Sequence, residues 1–545
     1  MYRRSKIVKG STFVFIVLFT MLLFLYGCTN NYEGYSDSIN PQEYLEFELL
    51  DNNTYQVAGF SGKAVKNLVI PNSHNGIDVT EIKECAFVRD YGWFAKRIEP
   101  IETVIIEEGI IKINDEAFRD CGATVYRLAD SVEYVGYNAF YSSSKKTINI
   151  PENIKTIRGY GFSNTNISGD LFLDNIVLEE GCFENCDVEK VTFSDYYTEI
   201  PSFLFADADK LETVVFSDTI TTICHSAFYK CISLKTITIG KNIEFIGCRT
   251  FCECGLETLN FECENVELDQ QSFAKCENLN NVNFNNSYCI NIGIAFWESP
   301  INNITANGSE YYKVIDGALC NYDESSDNPL EIIIGPSDYD SFDKVSSIGK
   351  YAFSGRNFDK LILLNNIQSI GYHAFSDSII NELEISIDYI GNSFYYSSIK
   401  NATISSKEIG EEAFDHIYDL EILTIGEGCE HIDIKAFISI EKLKEVHLPQ
   451  SLVKIAFEAF VACNSITDVY YDLADGDPVY LAMCCFRQMT SGLEGDEINA
   501  TIRNDFKIHV YKNVYNKCFE KWNDISYKKD YGDSYNFNSH IVVRD

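Results

Sequence analysis

The sequence repeats itself about every 22 residues, and this repeat limits the possible folds more than any other feature. Residues 211–231 contain a six-residue run that is apolar at its first, fourth and sixth positions, then two isoleucines three residues apart, and an Ala-Phe pair followed three residues later by a cysteine. Residues 234–254 repeat that pattern 23 residues later, with Thr250 in the place of the alanine. A unit this short cannot bury its own apolar face, so it must stack on copies of itself.

The phenylalanine of each Ala-Phe-like pair marks the copies. Most neighbouring pairs lie 19 to 23 residues apart, which is the range of leucine-rich repeats and shorter than ankyrin or tetratricopeptide repeats. We therefore predict an α/β leucine-rich-repeat solenoid, a curved stack of about 18 short β-coils with parallel strands, short helical turns and hairpin caps. The repeat phenylalanines are Phe87, Phe118, Phe140, Phe162, Phe183, Phe205, Phe228, Phe251, Phe273, Phe296, Phe353, Phe375, Phe394, Phe414, Phe437, Phe460 and Phe486.

The N-terminus has the pattern of an export signal. Four basic residues precede an apolar run from Phe13 to Tyr26, which is too short to cross a bilayer comfortably. Leu25-Tyr26-Gly27-Cys28 resembles the bacterial lipobox, in which the cysteine is acylated and becomes the mature N-terminus. We predict lipidation of Cys28; an ordinary signal peptide with an incidental cysteine and an uncleaved anchor are the alternatives.

Interruptions of the period predict how the chain is divided. Phe87 and Phe118 are 31 residues apart and Phe296 and Phe353 are 57 residues apart, so extra segments lie in both places. The predicted parts are a lipoprotein signal peptide (1–27), a tether (28–44), an N-terminal cap hairpin with the first coil (45–85), repeats (86–296), a hairpin insert (297–347), repeats (348–471), and an irregular region with the C-terminal cap (472–545).

The formal net charge of −37 excludes some partners. Such a surface repels phosphate backbones and anionic headgroups, so we expect no nucleic-acid binding and no membrane contact except through the N-terminal lipid.

The 19 cysteines invite a disulfide interpretation, but their position in the repeat favours buried thiols. Neighbouring coils could still place pairs such as Cys254 and Cys276 within bonding distance. Six cysteines lie three residues after a repeat phenylalanine, namely Cys121, Cys186, Cys231, Cys254, Cys276 and Cys463.

Two regions are candidates for ligand contact. One is the extra segment after Phe87, with Trp93, Phe94 and Arg97, which could bind a ligand or simply fold over the cap. The other is the solvent-facing fifth position of the six-residue apolar run, which parallel strands should align in rows about 4.8 Å apart. Polar side chains there also suit an exposed strand without any ligand. The fifth-position candidates are Thr238, Asn260, Asn283, Thr424, His447 and Tyr470.

Motifs for catalysis are missing from the sequence. It has no His-Glu-x-x-His, Gly-x-Ser-x-Gly or phosphate-loop pattern, and its eight histidines lack metal-ligand spacing. Asp472, Asp475 and Asp477 do not have the spacing of an EF-hand, so we interpret them as a solvated turn. We predict no enzyme activity, no metal and no cofactor.

The repeat resembles that of the BspA-like leucine-rich-repeat surface proteins, which reads roughly Ile-x-x-Ile-x-x-x-Ala-Phe-x-x-Cys-x-x-Leu-x-x-Ile-x-Ile-Pro. Residues 223–239 follow it, with Gly240 in place of the proline, and residues 443–449 supply the proline. The resemblance covers about residues 45 to 525 and implies a surface protein of bacteria or protists, with adhesion to host or microbial proteins or glycans. A structural spacer that associates with itself is the alternative. The matching positions are all structural, so no binding residue is implied.

Overall fold

The structure is a computed structural model in which the chain forms one long stack of coils. It describes residues 44–60, 66–88, 101–142, 144–321, 330–336, 338–473, 479–481, 485–486, 506–512, 514–518 and 541–544. The predicted leucine-rich-repeat solenoid with parallel strands is confirmed, while helical turns are a minor part of it.

One coil illustrates all the others. Residues 236–239 form a strand in which Ile237 and Ile239 point inward, and residues 245–246 form a second, shorter strand on another side of the coil. A tight turn then carries Phe251 into the interior. Both strands pair in parallel with the equivalent strands one coil later, because the repeat places the same hydrogen-bonding groups about 22 residues further on.

The longer strands form the first side of the solenoid. They are β3 (Asn67–Ile70), β6 (Thr103–Ile106), β8 (Val125–Arg127), β10 (Thr147–Ile148), β12 (Ser168–Leu173), β14 (Asp187–Phe193), β16 (Thr213–Val215), β18 (Thr236–Ile239), β20 (Thr258–Phe261), β22 (Asn281–Asn283), β24 (Asn303–Thr305), β29 (Asn357–Leu363), β31 (Ile379–Ile385), β33 (Ser398–Ile404), β35 (Ile422–Ile425), β37 (Glu445–Leu448), β39 (Asp468–Tyr471), β41 (Lys507–Tyr511) and β42 (Ile541–Arg544).

The shorter strands form the second side. They are β5 (Ile77–Ile82), β7 (Lys112–Ile113), β9 (Tyr134–Val135), β11 (Thr156–Ile157), β13 (Val177–Leu178), β15 (Glu199–Ile200), β17 (Thr222–Ile223), β19 (Phe245–Ile246), β21 (Asn265–Leu268), β23 (Tyr288–Ile290), β28 (Ser347–Ile348), β30 (Ser369–Ile370), β32 (Tyr389–Ile390), β34 (Glu408–Ile409), β36 (His431–Ile432), β38 (Lys454–Ile455) and β40 (Tyr480–Leu481).

The repeat phenylalanines form two uninterrupted ring stacks inside the solenoid. From Phe87 to Phe296 successive ring centroids are 4.8–6.1 Å apart with interplanar angles of 3–15°. From Phe353 to Phe486 the distances are 5.0–5.3 Å and the angles 4–14°. Each buried ring stabilises the fold by roughly 1.5–3 kcal/mol, so the stacks are the main contacts between coils.

The residue three positions after the phenylalanine bonds to the preceding coil. The Cys276 thiol donates to the carbonyl of Phe251 at 3.1 Å, and Ser299 uses its hydroxyl in the same way on Phe273 at 2.7 Å. Cys254 and Cys276 remain thiols. A small buried donor suits this slot, which explains why cysteine and serine both occur there, while other coils fill it with an apolar side chain such as Ala208, Ile417 or Ile440. The same bond is made by Cys231, Cys254, Cys463, Ser378 and Ser397.

An antiparallel hairpin begins the solenoid. It consists of β1 (Leu45–Leu49) and β2 (Tyr55–Phe60), and β2 then pairs in parallel with β5. A further short strand, β4 (Ser73–His74), pairs antiparallel with β5. The hairpin covers the edge of the second side, which would otherwise present unpaired backbone groups.

A three-stranded antiparallel insert divides the stack into two blocks. It consists of β25 (Tyr312–Ile315), β26 (Ala318–Asn321) and β27 (Glu331–Ile334), and Asp316 and Gly317 turn between the first two strands with φ of 47° and 88°. We call the coils from residue 67 to residue 305 the first block and those from residue 347 onward the second block.

The central strand of the insert, β26, is buried on both of its faces. In β26 the side chain of Leu319 belongs to the apolar core of the first block, while its neighbours Ala318 and Cys320 belong to that of the second. Near it lie the helix α1 (Ile292–Ala295) and a 3₁₀ turn (Phe342–Lys344). The insert thus separates two cores that are built in the same way.

Candidate functional site

The outward side chains of the first side form columns that run along the solenoid. Inward and outward residues alternate along each strand, and the parallel register sets each outward residue beside its equivalent in the next coil. Thr238 therefore lies beside Asn260 in the first block, and His447 beside Tyr470 in the second.

The first block carries a column of amides and hydroxyls, which we call the amide column: Thr238, Asn260, Asn283 and Thr305. The Asn283 amide donates to the Asn260 carbonyl oxygen at 2.5 Å, and the Thr305 hydroxyl donates to the Asn283 carbonyl oxygen at 2.6 Å. The Asn260 amide points at the Thr238 hydroxyl at 3.5 Å. All four residues are half-buried. Their polar groups are therefore largely used within the column.

A parallel row beside it repeats the arrangement. The Asn303 amide donates to the Asn281 carbonyl oxygen at 3.1 Å, and the Asn281 amide approaches the Thr258 hydroxyl at 3.5 Å. Ladders of this kind stabilise parallel strands in the same way as the amide ladders of stacked β-structures. The amide column thus serves the fold and leaves few groups for a ligand.

The second block carries rings at the same position of the repeat. His447 and Tyr470 are stacked with centroids 4.8 Å apart at 13°, and Tyr470 and His509 with centroids 4.4 Å apart at 12°. Thr424 precedes them in register on β35. We call His447, Tyr470 and His509 the aromatic column. Since each ring covers its neighbour's face, the column turns ring edges and polar atoms toward solvent.

Carboxylates line one side of the aromatic column. The Asp468 carboxylate lies 2.7 Å from Nε2 of His509, and the Glu445 carboxylate lies 3.7 Å from Nε2 of His447. Burial opposes ionisation of Asp468, but hydrogen bonds from His509 and Thr467 outweigh it and hold the pKa of that carboxyl below its usual value. The carboxylate is therefore charged at neutral pH.

An arginine from the final strand closes the column. The Arg544 guanidinium lies over the Tyr511 ring at 4.2 Å and over the Tyr470 ring at 5.7 Å. It also donates to the carbonyl of Tyr471 at 3.1 Å and to the carboxylate of Asp472. These contacts fix a cation beside the rings, so the site combines aromatic edges, three acids and one guanidinium on one sheet.

Within the described ranges, no group of three His, Cys, Asp or Glu side chains is placed to hold a metal ion. Among the same residues, no helix has the length and apolar character needed to span a membrane.

The six fifth-position candidates fall into two groups, one in each block. Thr238, Asn260 and Asn283 meet in the amide column, and Thr424, His447 and Tyr470 line up in the second block. Cys28, Trp93, Phe94 and Arg97 lie outside the described residues.

Sequence reasoning missed His509 and Arg544. The alternation of Ile508, His509 and Val510 already indicates a strand, and aligning it with residues 469–471 would have placed His509 beside Tyr470. Nothing local marks β42 as the next parallel strand, because the intervening segment does not follow the repeat.

The comparison with protein families identifies one model. The family described as BspA type leucine rich repeat region matches residues 90–212, 198–321, 338–408 and 407–491. The comparison with curated proteins finds no match.

Several solved bacterial structures are similar to this chain at low identity. A leucine rich cell surface protein of Faecalibacterium prausnitzii A2-165 is 20% identical, with 81% of this chain and 96% of that chain covered and a TM-score of 0.34. A leucine-rich repeat protein of Bacteroides ovatus is 16% identical over 94% and 100% of the two chains, with a TM-score of 0.32. The pneumococcal vaccine antigen PcpA is 13% identical over 92% and 96%, with a TM-score of 0.25.

Proposed function

The chain belongs to the BspA-type leucine-rich repeat family, and we propose that it is a non-catalytic binding module displayed outside the cell. Members of the family are generally surface proteins with binding or adhesion roles. The ligand we propose for the aromatic column is an extracellular protein of the host or of another microbe.

The observation that carries this proposal is the aromatic column. Tyrosine and arginine supply much of the binding energy at protein interfaces, because they combine a large contact area with a polar group. Here Tyr470 is held between two imidazoles and next to Arg544, so little side-chain entropy would be lost on binding. Ring edges rather than ring faces point outward, which suits hydrogen bonds to a polypeptide.

Charge favours a particular kind of protein partner. Asp468 and Glu445 flank the rings, and the whole chain carries a formal charge of −37. A basic surface patch on the partner would therefore be attracted over long range, and its association rate would fall as salt screens the field.

The N-terminus supports display at the cell surface. In this proposal Cys28 is acylated, residues 28–44 form the tether, and the lipid is the only contact with the membrane. A protein anchored in this way places its aromatic column far from its point of attachment, near the opposite end of the chain.

Binding of the full chain to immobilised extracellular matrix proteins and mucins tests the proposal. The chain is purified in detergent, and binding is measured at physiological and at raised salt. We expect saturable binding to at least one protein, weakened by salt and by Tyr470→Ala. Asn260→Ala is the matched control, since it changes the equivalent position in the amide column.

The alternative of a self-associating spacer makes a different prediction. If light scattering showed concentration-dependent assembly and none of the immobilised proteins bound saturably, the spacer would be the better interpretation and the proposed function would be wrong. Lipidation is tested separately by incorporation of a palmitate analogue, which Cys28→Ser should abolish; unchanged labelling of that variant would contradict the anchor.

A further inference from the structure

A cleft opens where the insert interrupts the second side of the solenoid. Strand β23 is the last strand of one sheet, and β27 and β28 belong to the next, so the ladder is broken between them. The gap leaves a cleft of about 610 Å³, lined by residues from both blocks and from the insert. Ligand pockets usually have about 300–1,000 Å³, so this cleft is large enough for a small ligand.

A glycine lets two walls of the cleft come close together. A Cβ atom on Gly293 of α1, in the first block, would lie 2.1 Å from the carbonyl oxygen of Lys350 in the second block. Both residues line the cleft. Any larger residue at position 293 would therefore push these two walls apart.

One wall of the cleft is a supported aromatic ring. Tyr372 is 50% exposed and is stacked on His373 with centroids 3.8 Å apart at 15°. His373 rests in turn on Tyr395 at 4.5 Å and 16°. Tyr351 stands at 80° to Tyr372 with centroids 6.1 Å apart and forms a corner of the cleft. With one face covered by His373, Tyr372 has its other face available to the cleft.

The opposite wall and the floor supply polar groups. Tyr288, which is 40% exposed, lines the cleft from the first block. The Asn321 amide donates to the Glu331 carboxylate at 2.9 Å, and both side chains line the cleft. Lys350 and Asp269 complete the set of charged groups. Carboxylate, amide and ammonium groups can all bond to hydroxyls.

We propose that this cleft binds a short, neutral stretch of a glycan, with one sugar ring stacked on the open face of Tyr372. The electron-rich face of an aromatic ring attracts the weakly positive C–H face of a pyranose, and the polar groups around it can bond to hydroxyls at the edge of the sugar. Two acids and one lysine give the cleft a negative balance within a strongly acidic chain, so sialylated or sulfated sugars are disfavoured.

The charge state of His373, the ring beneath Tyr372, agrees with a neutral sugar as the ligand. Burial lowers the pKa of His373 to about 4, so the imidazole beneath Tyr372 is neutral at pH 7. The aromatic platform therefore carries no charge that would favour an anionic sugar. This site is separate from the aromatic column and goes beyond the proposed protein ligand.

The test is titration of the full chain, purified in a detergent without a sugar headgroup, with neutral oligosaccharides. Suitable probes are N-acetylchitotriose, cellotriose and lactose, with sialyllactose as the charged counterpart of lactose. We expect saturable binding of at least one neutral sugar and a weaker response to the sialylated one. Tyr372→Ala should reduce the affinity about tenfold or more, and Tyr372→Phe should retain it.

Matched variants show whether sugar binding depends on the cleft or on tyrosines elsewhere on the surface. Tyr196→Ala removes another tyrosine, 49% exposed, that does not line the cleft, and it should leave sugar binding unchanged. Tyr470→Ala should also leave it unchanged, which distinguishes a failure here from a failure of the proposed protein binding. Unfolding curves establish that Tyr372→Ala is folded. No binding of any neutral sugar, equal binding by Tyr372→Ala and wild type, or preference for sialyllactose would overturn the proposal.

Discussion

The amide column and the aromatic column occupy the same position of the repeat in two blocks, yet they use it in opposite ways. In the first block Asn260 and Asn283 bond to each other, whereas in the second Tyr470 stacks between two rings and keeps its edge toward solvent. The backbone ladder is parallel in both. A solenoid can therefore use one outward position for stability in some coils and leave it available for a ligand in others.

The interiors of the two blocks share the same main ring stack, although the first block adds the stacked pairs Phe193–Phe216 and Phe261–Phe284 beside it. Both contain a phenylalanine stack with nearly parallel rings, and both use the same small donor after the phenylalanine. Each block also has its own apolar core, on either side of the insert. The comparison therefore predicts equal responses to changes inside the solenoid and unequal responses to changes outside.

The largest expected effect tests the equality of the interiors. Phe251→Ala in the first block and Phe414→Ala in the second should each lower the free energy of unfolding by about 3–5 kcal/mol, since each leaves a cavity between two stacked rings. Guanidinium denaturation followed by circular dichroism measures the loss. The control is Phe172→Ala, because that side chain is 63% exposed. Losses that differ by more than about 2 kcal/mol between the blocks would break the comparison.

The next effect tests the difference between the exteriors. Tyr470→Ala should weaken binding of a protein ligand by about 2 kcal/mol or more, as expected for a central aromatic anchor. Asn260→Ala should not change that affinity, because its amide is committed to the column. Surface plasmon resonance on the full chain measures both variants. Equal losses would show that the two columns do not differ in use.

A change in the amide column should lower the stability of the fold and leave ligand binding unchanged. Asn283→Ala removes a donor to Asn260 and an acceptor from Thr305, so it should lower the free energy of unfolding by about 1–2 kcal/mol. Thr236→Ala, at an exposed residue of β18, two strands away in the same sheet, is the control and should change stability by less than about 0.5 kcal/mol. Chemical denaturation measures both variants. An unchanged denaturation midpoint for Asn283→Ala would show that the amide column does not stabilise the fold.

The smallest effect is the pH dependence that Asp468 contributes in the second block. Because the folded pKa of Asp468 is below its unfolded value, the carboxylate stabilises the fold above about pH 4, and this stabilisation is lost as the pH falls through the lower folded pKa. Asp468 is 27% exposed, so the contribution should be below about 1 kcal/mol.

Unfolding of wild type and Asp468→Asn at pH 6 and at pH 3 measures this contribution. The difference in stability between the two proteins should shrink at the lower pH. Asn283→Ala serves as the control, since the groups that it removes do not titrate, and its effect should be the same at both values. A constant difference for Asp468→Asn would mean that the ionised Asp468 carboxylate, hydrogen-bonded to His509, does not stabilise the fold.

The fold was largely predictable because the information is local and repeated. The spacing of the phenylalanines marked the residues that form the two stacks, and the position of Cys463 three residues after one of them favoured a buried thiol, which the structure shows. The use of the outward positions was less predictable. Asparagine at residue 283 and tyrosine at residue 470 follow the same pattern, and only their neighbours in the next coils decide which groups remain available.

The sequence by itself determined the period, the inward residues and the solenoid, because each coil makes the same contacts with the next and a pattern of 22 residues records them. Only the tertiary structure decided which distant residues meet. His509 reaches Tyr470 across 39 residues, and Tyr288 and Tyr372 line one cleft from opposite sides of the insert. The physical reason is that these contacts arise where the repeat is interrupted, and there no periodic pattern specifies how the chain closes on itself.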